Sequence, residues 1–268
     1  MRVMTLVQRS ATQSRPIVLG AMVLFFFFQL LLILHASEIE RSNAFGRVGD
    51  LMPGFLQRGL GAQAMLLASF KGSVAFGYFH PVILCAVSLI AVYLATEPAH
   101  DVEAGLVDLV LARSVPRHRV LTRSLSLALA VTVAITILML AGTYTGLRWF
   151  APDIAWPSLG LLGTLALHLN AVVWCCASMA LLAAASVKRW TTAFTIGAGV
   201  VVIGYLIDFL AIGWRPARVL AWAFPFNYYP ALVIVGGNST PLRDLSILLG
   251  ATTLFSALAY WKFQRRDL

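Results

Sequence analysis

His168, Cys175, Cys176 and Met179 stand at i, i+7, i+8 and i+11, a spacing that lets them share one face of an α-helix. Imidazole, thiolate and thioether together suit a soft metal such as Cu(I). The same residues also serve without metal chemistry, the histidine as an interhelical hydrogen-bonding group and the sulfurs as packing. The second reading is carried forward, and no metal site is assigned. Asn170, Asp208, His80 and His35 are further polar residues set in apolar surroundings. His168 falls near the middle of its apolar run, with Asn170 close by. His80 is intermediate, and His35 and Asp208 lie near run ends. An Asp at the centre of a membrane span costs about 3 kcal/mol on insertion scales, so such residues are functional candidates by default. His168, Asn170, Asp208 and His80 are therefore the candidates for a translocation path. Asp208 can pair with His35 or His80, or reach water by itself.

What must position these residues is a membrane. The 268 residues are 60% hydrophobic and only 12% charged, against roughly 25% charged for a soluble domain. Such a chain has too little polar surface to cover itself in water, which implies a polytopic membrane protein forming one membrane domain over residues 1–268. Cys85, Cys175 and Cys176 all fall in apolar runs, unlike a disulfide framework or a soluble zinc site. The net charge of +9 is scattered over many loops without a joining motif. It fits contact with anionic lipid better than nucleic acid.

A span needs about 20 apolar residues, and six segments qualify: residues 17–36, 73–95, 124–147, 157–187, 191–213 and 242–261. Pro81 is expected to kink the second. The first run is too long for the hydrophobic core of a cleaved signal and reads as a retained span. With the N-terminus inside, twelve of the twenty Lys and Arg fall in about 50 inner residues and eight in about 80 outer ones. Both termini are thus expected in the cytoplasm. Trp149, Phe150 and Trp156 bracket an outer loop, and Trp190 and Trp261 mark inner boundaries, as rings with one wet edge do.

Two outer segments are unusual. Residues 37–72 are long, and 60–70 is apolar enough to lie on the membrane. Residues 214–241 are apolar and aromatic but interrupted by Pro225 and Pro230, so they cannot make one straight span. Short helices dipping into the outer leaflet are expected; the alternative is a seventh, broken span.

Residues 97–119, EPAHDVEAGLVDLVLARSVPRHR, are the charged stretch between the second and third spans. Asp101 to Arg113 are expected to form about three helical turns. Val102, Leu106, Leu109 and Val110 fall on one stripe, and Asp101, Gly105, Asp108 and Ala112 on another. Pro116 ends the element, and Arg117, Arg119 and Arg123 follow. A helix floating on anionic lipid favours a basic polar face. The narrow acidic face here suits a protein groove better.

Glu97, then Glu103-x-Gly105, then LVDLVLARSVPRHRVLTRSL resembles the permeases of type-2, exporter-like ABC transporters (the ABC-2 type). In that pattern the second span ends on Glu, an acidic residue and a glycine follow, and an apolar run leads to proline and arginine, here Pro116 and Arg119. Leu106 stands where threonine is usual, Arg123 where lysine is common, and Pro98, Ala99 and His100 lengthen the stretch. The resemblance implies an all-α fold of six transmembrane helices, a cytoplasmic coupling helix between spans two and three, and an outer re-entrant or interfacial helical hairpin before span six. It implies that Glu97, Asp101, Glu103, Gly105, Leu106, Asp108, Leu109, Arg113, Pro116 and Arg119 couple to a separate ATP-binding subunit. Two such subunits, carrying ATP and Mg2+, and a second permease chain, identical or similar, are implied as partners in a cell (inner or plasma) membrane. The chain itself has no cofactor or catalytic role in this reading, and no G-x-x-x-x-G-K-[ST] phosphate loop occurs in its sequence. Ala193, Gly197, Gly199 and Gly204 in the fifth span allow close helix approach, either between subunits or within one. The rival readings are a membrane-embedded enzyme and an assembly factor without transport. Against the enzyme, no pair of ionisable residues shares a mid-span constellation.

Overall fold

Every long apolar run among the described residues is helical. The computed structural model describes residues 3–42, 66–67, 69–105, 118–237 and 241–265, and no strand occurs among them. In hydrocarbon no water can satisfy the backbone, so a helix that closes its own hydrogen bonds is the available answer. Six helical stretches are long and apolar enough to cross a membrane: Ser14–Arg41, Phe70–Glu103, His118–Phe150, Leu159–Ser186, Trp190–Ala211 and Leu242–Gln264. The fold is that of a multi-pass helical membrane protein.

The first helix, α1, runs Val3–Arg41. The second span is three helices in series, α2 (Phe70–Phe76), α3 (Pro81–Ala95) and α4 (Glu97–Glu103). Pro81 therefore does not kink a continuous helix but opens a new one. At the first helical position its missing N–H is no loss, and His80 caps the helix, its Nδ1 accepting from Val82 N at 3.3 Å. Then come α5 (His118–Phe150), α6 (Leu159–Ser186) and α7 (Trp190–Ala211). Among the described residues, the 214–241 stretch forms no seventh span. It holds α8 (Arg215–Ala221), a 3-10 turn (Pro225–Tyr228) and α9 (Ala231–Val235). The last helix is α10 (Leu242–Gln264).

A second correction concerns residues 101–113. The continuous helix expected from Asp101 onward is interrupted, because α4 stops at Glu103 and Gly105 has φ +66°. That left-handed value ends a right-handed helix and suits glycine. Leu106, Asp108, Leu109, Ala112, Arg113 and Pro116 lie outside the described residues.

Helix α6 is the axle. It is apolar on all sides, and 78% of its membrane window is buried, against 22% for α7 and α10. A helix hydrophobic all round belongs inside a bundle, and α3, α5, α7 and α10 pack around it. Helix α1 lies along α5. A Cβ at Gly142 would come 2.5 Å from Phe26 O, and one at Gly146 would be 3.1 Å from Ile33. The Gly142-x-x-x-Gly146 spacing thus admits the backbone of α1. Tyr260 near the end of α10 meets Thr122 near the start of α5, oxygen to oxygen at 2.9 Å. At the opposite end of α5, Arg41 of α1 donates to Phe150 O at 2.8 Å.

Candidate functional site

The charged group of the bundle sits where the second span hands over to the third. Arg123, one turn and a half into α5, is only 3% exposed. An uncompensated guanidinium there would carry a heavy desolvation cost. Its Nη2 donates to Asp101 Oδ2 at 2.6 Å and lies 3.5 Å from Glu97 Oε2. Glu97 and Asp101 are one helical turn apart on α4, so both reach the same cation. Two residues after Asp101 the chain is tied again: Glu103 Oε2 accepts from Trp190 N at 2.8 Å. That N–H is one of those the start of α7 leaves unpaired, and a carboxylate suits the positive helix end. Trp190 also meets His100 and Tyr93 edge to face, and Ala99, Ala184 and Ala193 close a small apolar contact beneath. Seven residues of α4 are thus fixed to the starts of both α5 and α7.

Of the expected acidic docking ridge, Asp101 and Gly105 are described, while Asp108 and Ala112 lie outside the described residues. Asp101 is buried against Arg123 rather than turned outward. Glu103 is exposed but engaged with Trp190, and Glu97 is held by Arg123. Gly105 is exposed, and Arg119 is half-buried in the first turn of α5. Val102 of the expected apolar stripe packs on the core.

The polar residues proposed for a translocation path are not gathered into one lumen. His168 is fully buried, its Nδ1 donating to Thr164 O at 2.9 Å, with Nε2 3.5 Å from Pro241 O. Its ring stacks on Tyr229 at 6.2 Å. Tyr229 donates to Leu165 O at 3.1 Å and to Tyr78 O at 3.3 Å, and Tyr78 and Thr143 hydroxyls meet at 2.9 Å. Burial, with Tyr78 beside it, holds the Tyr229 phenol well above its usual range, so it stays a donor. Asn170 faces α5, donating to Thr136 Oγ1 at 3.1 Å and to Ala166 O at 2.8 Å, and Trp174 donates to Thr132 Oγ1 at 3.0 Å. These groups join α5, α6, the 214–241 segment and the break in the second span. His80 is the cap of α3, and Asp208 has no hydrogen bond or ion pair among the described residues, to His35 and His80 least of all. Cys175, Cys176 and Met179 pack in the core, and no group of three or more His, Cys, Asp or Glu able to hold a metal occurs among the described residues.

The small residues of α7 split. Ala193 is fully buried, a Cβ at Gly197 would meet Val92 and Ala180, and one at Gly204 would meet the Phe224 ring. These three are occupied within the chain. Gly199 faces open space. The sequence reading missed the roles of Arg123 toward α4, of Tyr229, and of Gln29. The fully buried amide of Gln29 lies against Gly77, in the break of the second span. Comparison with known proteins finds no matching family model and no significantly similar curated protein.

Proposed function

We propose that this chain is the membrane-spanning permease subunit of an ATP-binding-cassette exporter of the ABC-2 type, driven by a separate ATPase subunit that docks next to α4. The supporting observation is the double attachment of α4. A force applied to the segment after Glu103 reaches α5 through Arg123 and α7 through Trp190, instead of dissipating in a slack loop. With the three acidic residues engaged inside the chain, the docking surface shifts to Ala104, Gly105 and the residues that follow up to Arg119. In this reading both termini and α4 are cytoplasmic. The 214–241 segment then dips inward from the outer face, since Tyr229 bonds Leu165, six residues or about 9 Å along α6 from Leu159, and Phe224 packs on Gly204.

The test is composition and turnover of the complex. The tagged chain, extracted from its own membranes in mild detergent, is expected to bring down a phosphate-loop ATPase with ATP hydrolysis. Gly105→Trp and Asp108→Arg are expected to lose the ATPase while the permease stays folded. A complex and hydrolysis unchanged by both substitutions would overturn the docking assignment.

A further inference from the structure

At the end of the bundle opposite Arg123, the last three turns of α5 and the first turn and a half of α6 flank a groove of about 490 Å³. Leu140, Tyr144, Leu147, Trp156, Leu162 and Gly163 line it, and its walls are almost wholly apolar. The walls are set in place. Trp156 donates its indole N–H to Ala151 O at 2.8 Å, and its ring meets Tyr144 edge to face at 5.9 Å. The floor is open at Gly163, which has nothing within 4 Å of where a Cβ would stand. Ala141, Tyr144 and Arg148 follow at i, i+3 and i+7 on one stripe of α5, so Arg148 stands one turn above the groove at its mouth. Arg148 is exposed and has no ion pair among the described residues; Asp153, in the loop beyond, makes none with it.

From this geometry we infer that the groove holds one phospholipid of the adjacent leaflet, an acyl chain between α5 and α6 and the phosphate on Arg148. Both helices cross the membrane, so the neighbouring medium is lipid. Hydrocarbon gains nothing by leaving hydrocarbon, so a resident chain must be held by shape and by a polar anchor. The fixed Trp156–Tyr144 wall supplies the first, and the unpaired guanidinium supplies the second, since it matches a phosphate with two parallel donors. A second copy of the chain fits poorly. A two-fold contact centred here would bring the same residues of both copies together, setting Arg148 against Arg148.

The full chain is reconstituted in phosphatidylglycerol vesicles, extracted, and weighed by native mass spectrometry. One retained phosphatidylglycerol is expected. Arg148→Gln is expected to lower the retained fraction about tenfold, the worth of a hydrogen bond to a charged group. Gly163→Trp, which fills open space, is expected to abolish retention with the elution profile unchanged. Arg243→Gln, a control at another exposed cation, is expected to retain as the parent does. Retention indifferent to Arg148 and Gly163, or a dimer joined by Leu159→Cys self-oxidation across the groove, would overturn the inference.

Discussion

At the residue scale, Arg123 decides most. Its guanidinium is buried with two carboxylates that are themselves mostly covered. Removing the cation leaves Glu97 and Asp101 facing each other without compensation. Arg123→Ala is therefore expected to destabilise the chain by about 3–5 kcal/mol. Thermal unfolding in detergent, followed by size-exclusion elution, measures this. Asp101→Asn should cost far less, because Glu97 stays within reach of the arginine; equal losses for the two would deny Arg123 its central place. Tyr229→Phe removes a donor shared by two carbonyls and should cost about 1 kcal/mol, or about 2–4 °C of melting temperature. The ingredients were visible beforehand. Glu97 and Asp101 one turn apart, with a lone arginine inside the following apolar run, is a pattern that asks for an ion pair. The charged stretch was instead read as a helix facing outward, since helical periodicity does not reveal which stripe meets the bundle. Gly105 was assigned to a packing face, yet it serves as a stop. The same glycine fits either use until φ is known.

At the scale of elements, the spans were legible because length and apolarity suffice to define them. Six such helices are present among the described residues; the last three end within three residues of the expected bounds, whereas α1 begins at Val3 and the second span runs on to Glu103. The second span was harder. Pro81 signals an interruption, but whether it bends a helix or starts one depends on His80 and Val82 making a cap. Gly142-x-x-x-Gly146 was as plain in the sequence as Ala193-x-x-x-Gly197, and the structure uses both for contacts within the chain. Helix packing across α1 and α5 follows from that spacing, and it yields a contrast. Gly142→Leu would drive a side chain into the backbone at Phe26 and is expected to lower stability by at least about 1–3 kcal/mol. Gly199→Leu, facing open space, should change it by less than about 0.5 kcal/mol. Melting curves of the two variants in one detergent make the comparison. A similar loss at both sites would refute the assigned α1–α5 contact.

At the scale of the whole molecule, helix α5 matters by its length. Its 33 residues reach about 50 Å, against about 30 Å of hydrocarbon. The excess is taken up by tilt or by projection beyond the hydrocarbon, and the Arg123 cluster stands only five residues from one end of the helix. Substituted cysteines at His118 and Trp149, both exposed and at opposite ends of α5, are expected to react with a membrane-impermeant maleimide from opposite sides of sealed vesicles. Labelling of both from one side would break the six-span topology. In the proposed orientation His118 is the cytoplasmic one. What lay beyond the sequence at this scale was the central place of α6. Its apolar residues surround it on all sides, which predicts burial but not which four helices surround it.

The turn at Gly77–His80 has a mechanical consequence. Because the second span is jointed, it cannot act as a piston through the full thickness of the bilayer. A push received at Glu97 would travel up α3 for its 15 residues, about 22 Å, and arrive at a joint. There the fully buried amide of Gln29 presses on Gly77, and Tyr229 grips the carbonyl of Tyr78. In the proposed transport cycle the stub beyond, α2, would stay still while the rod below it swings, and the segment before the last helix would be the hand that stops the motion.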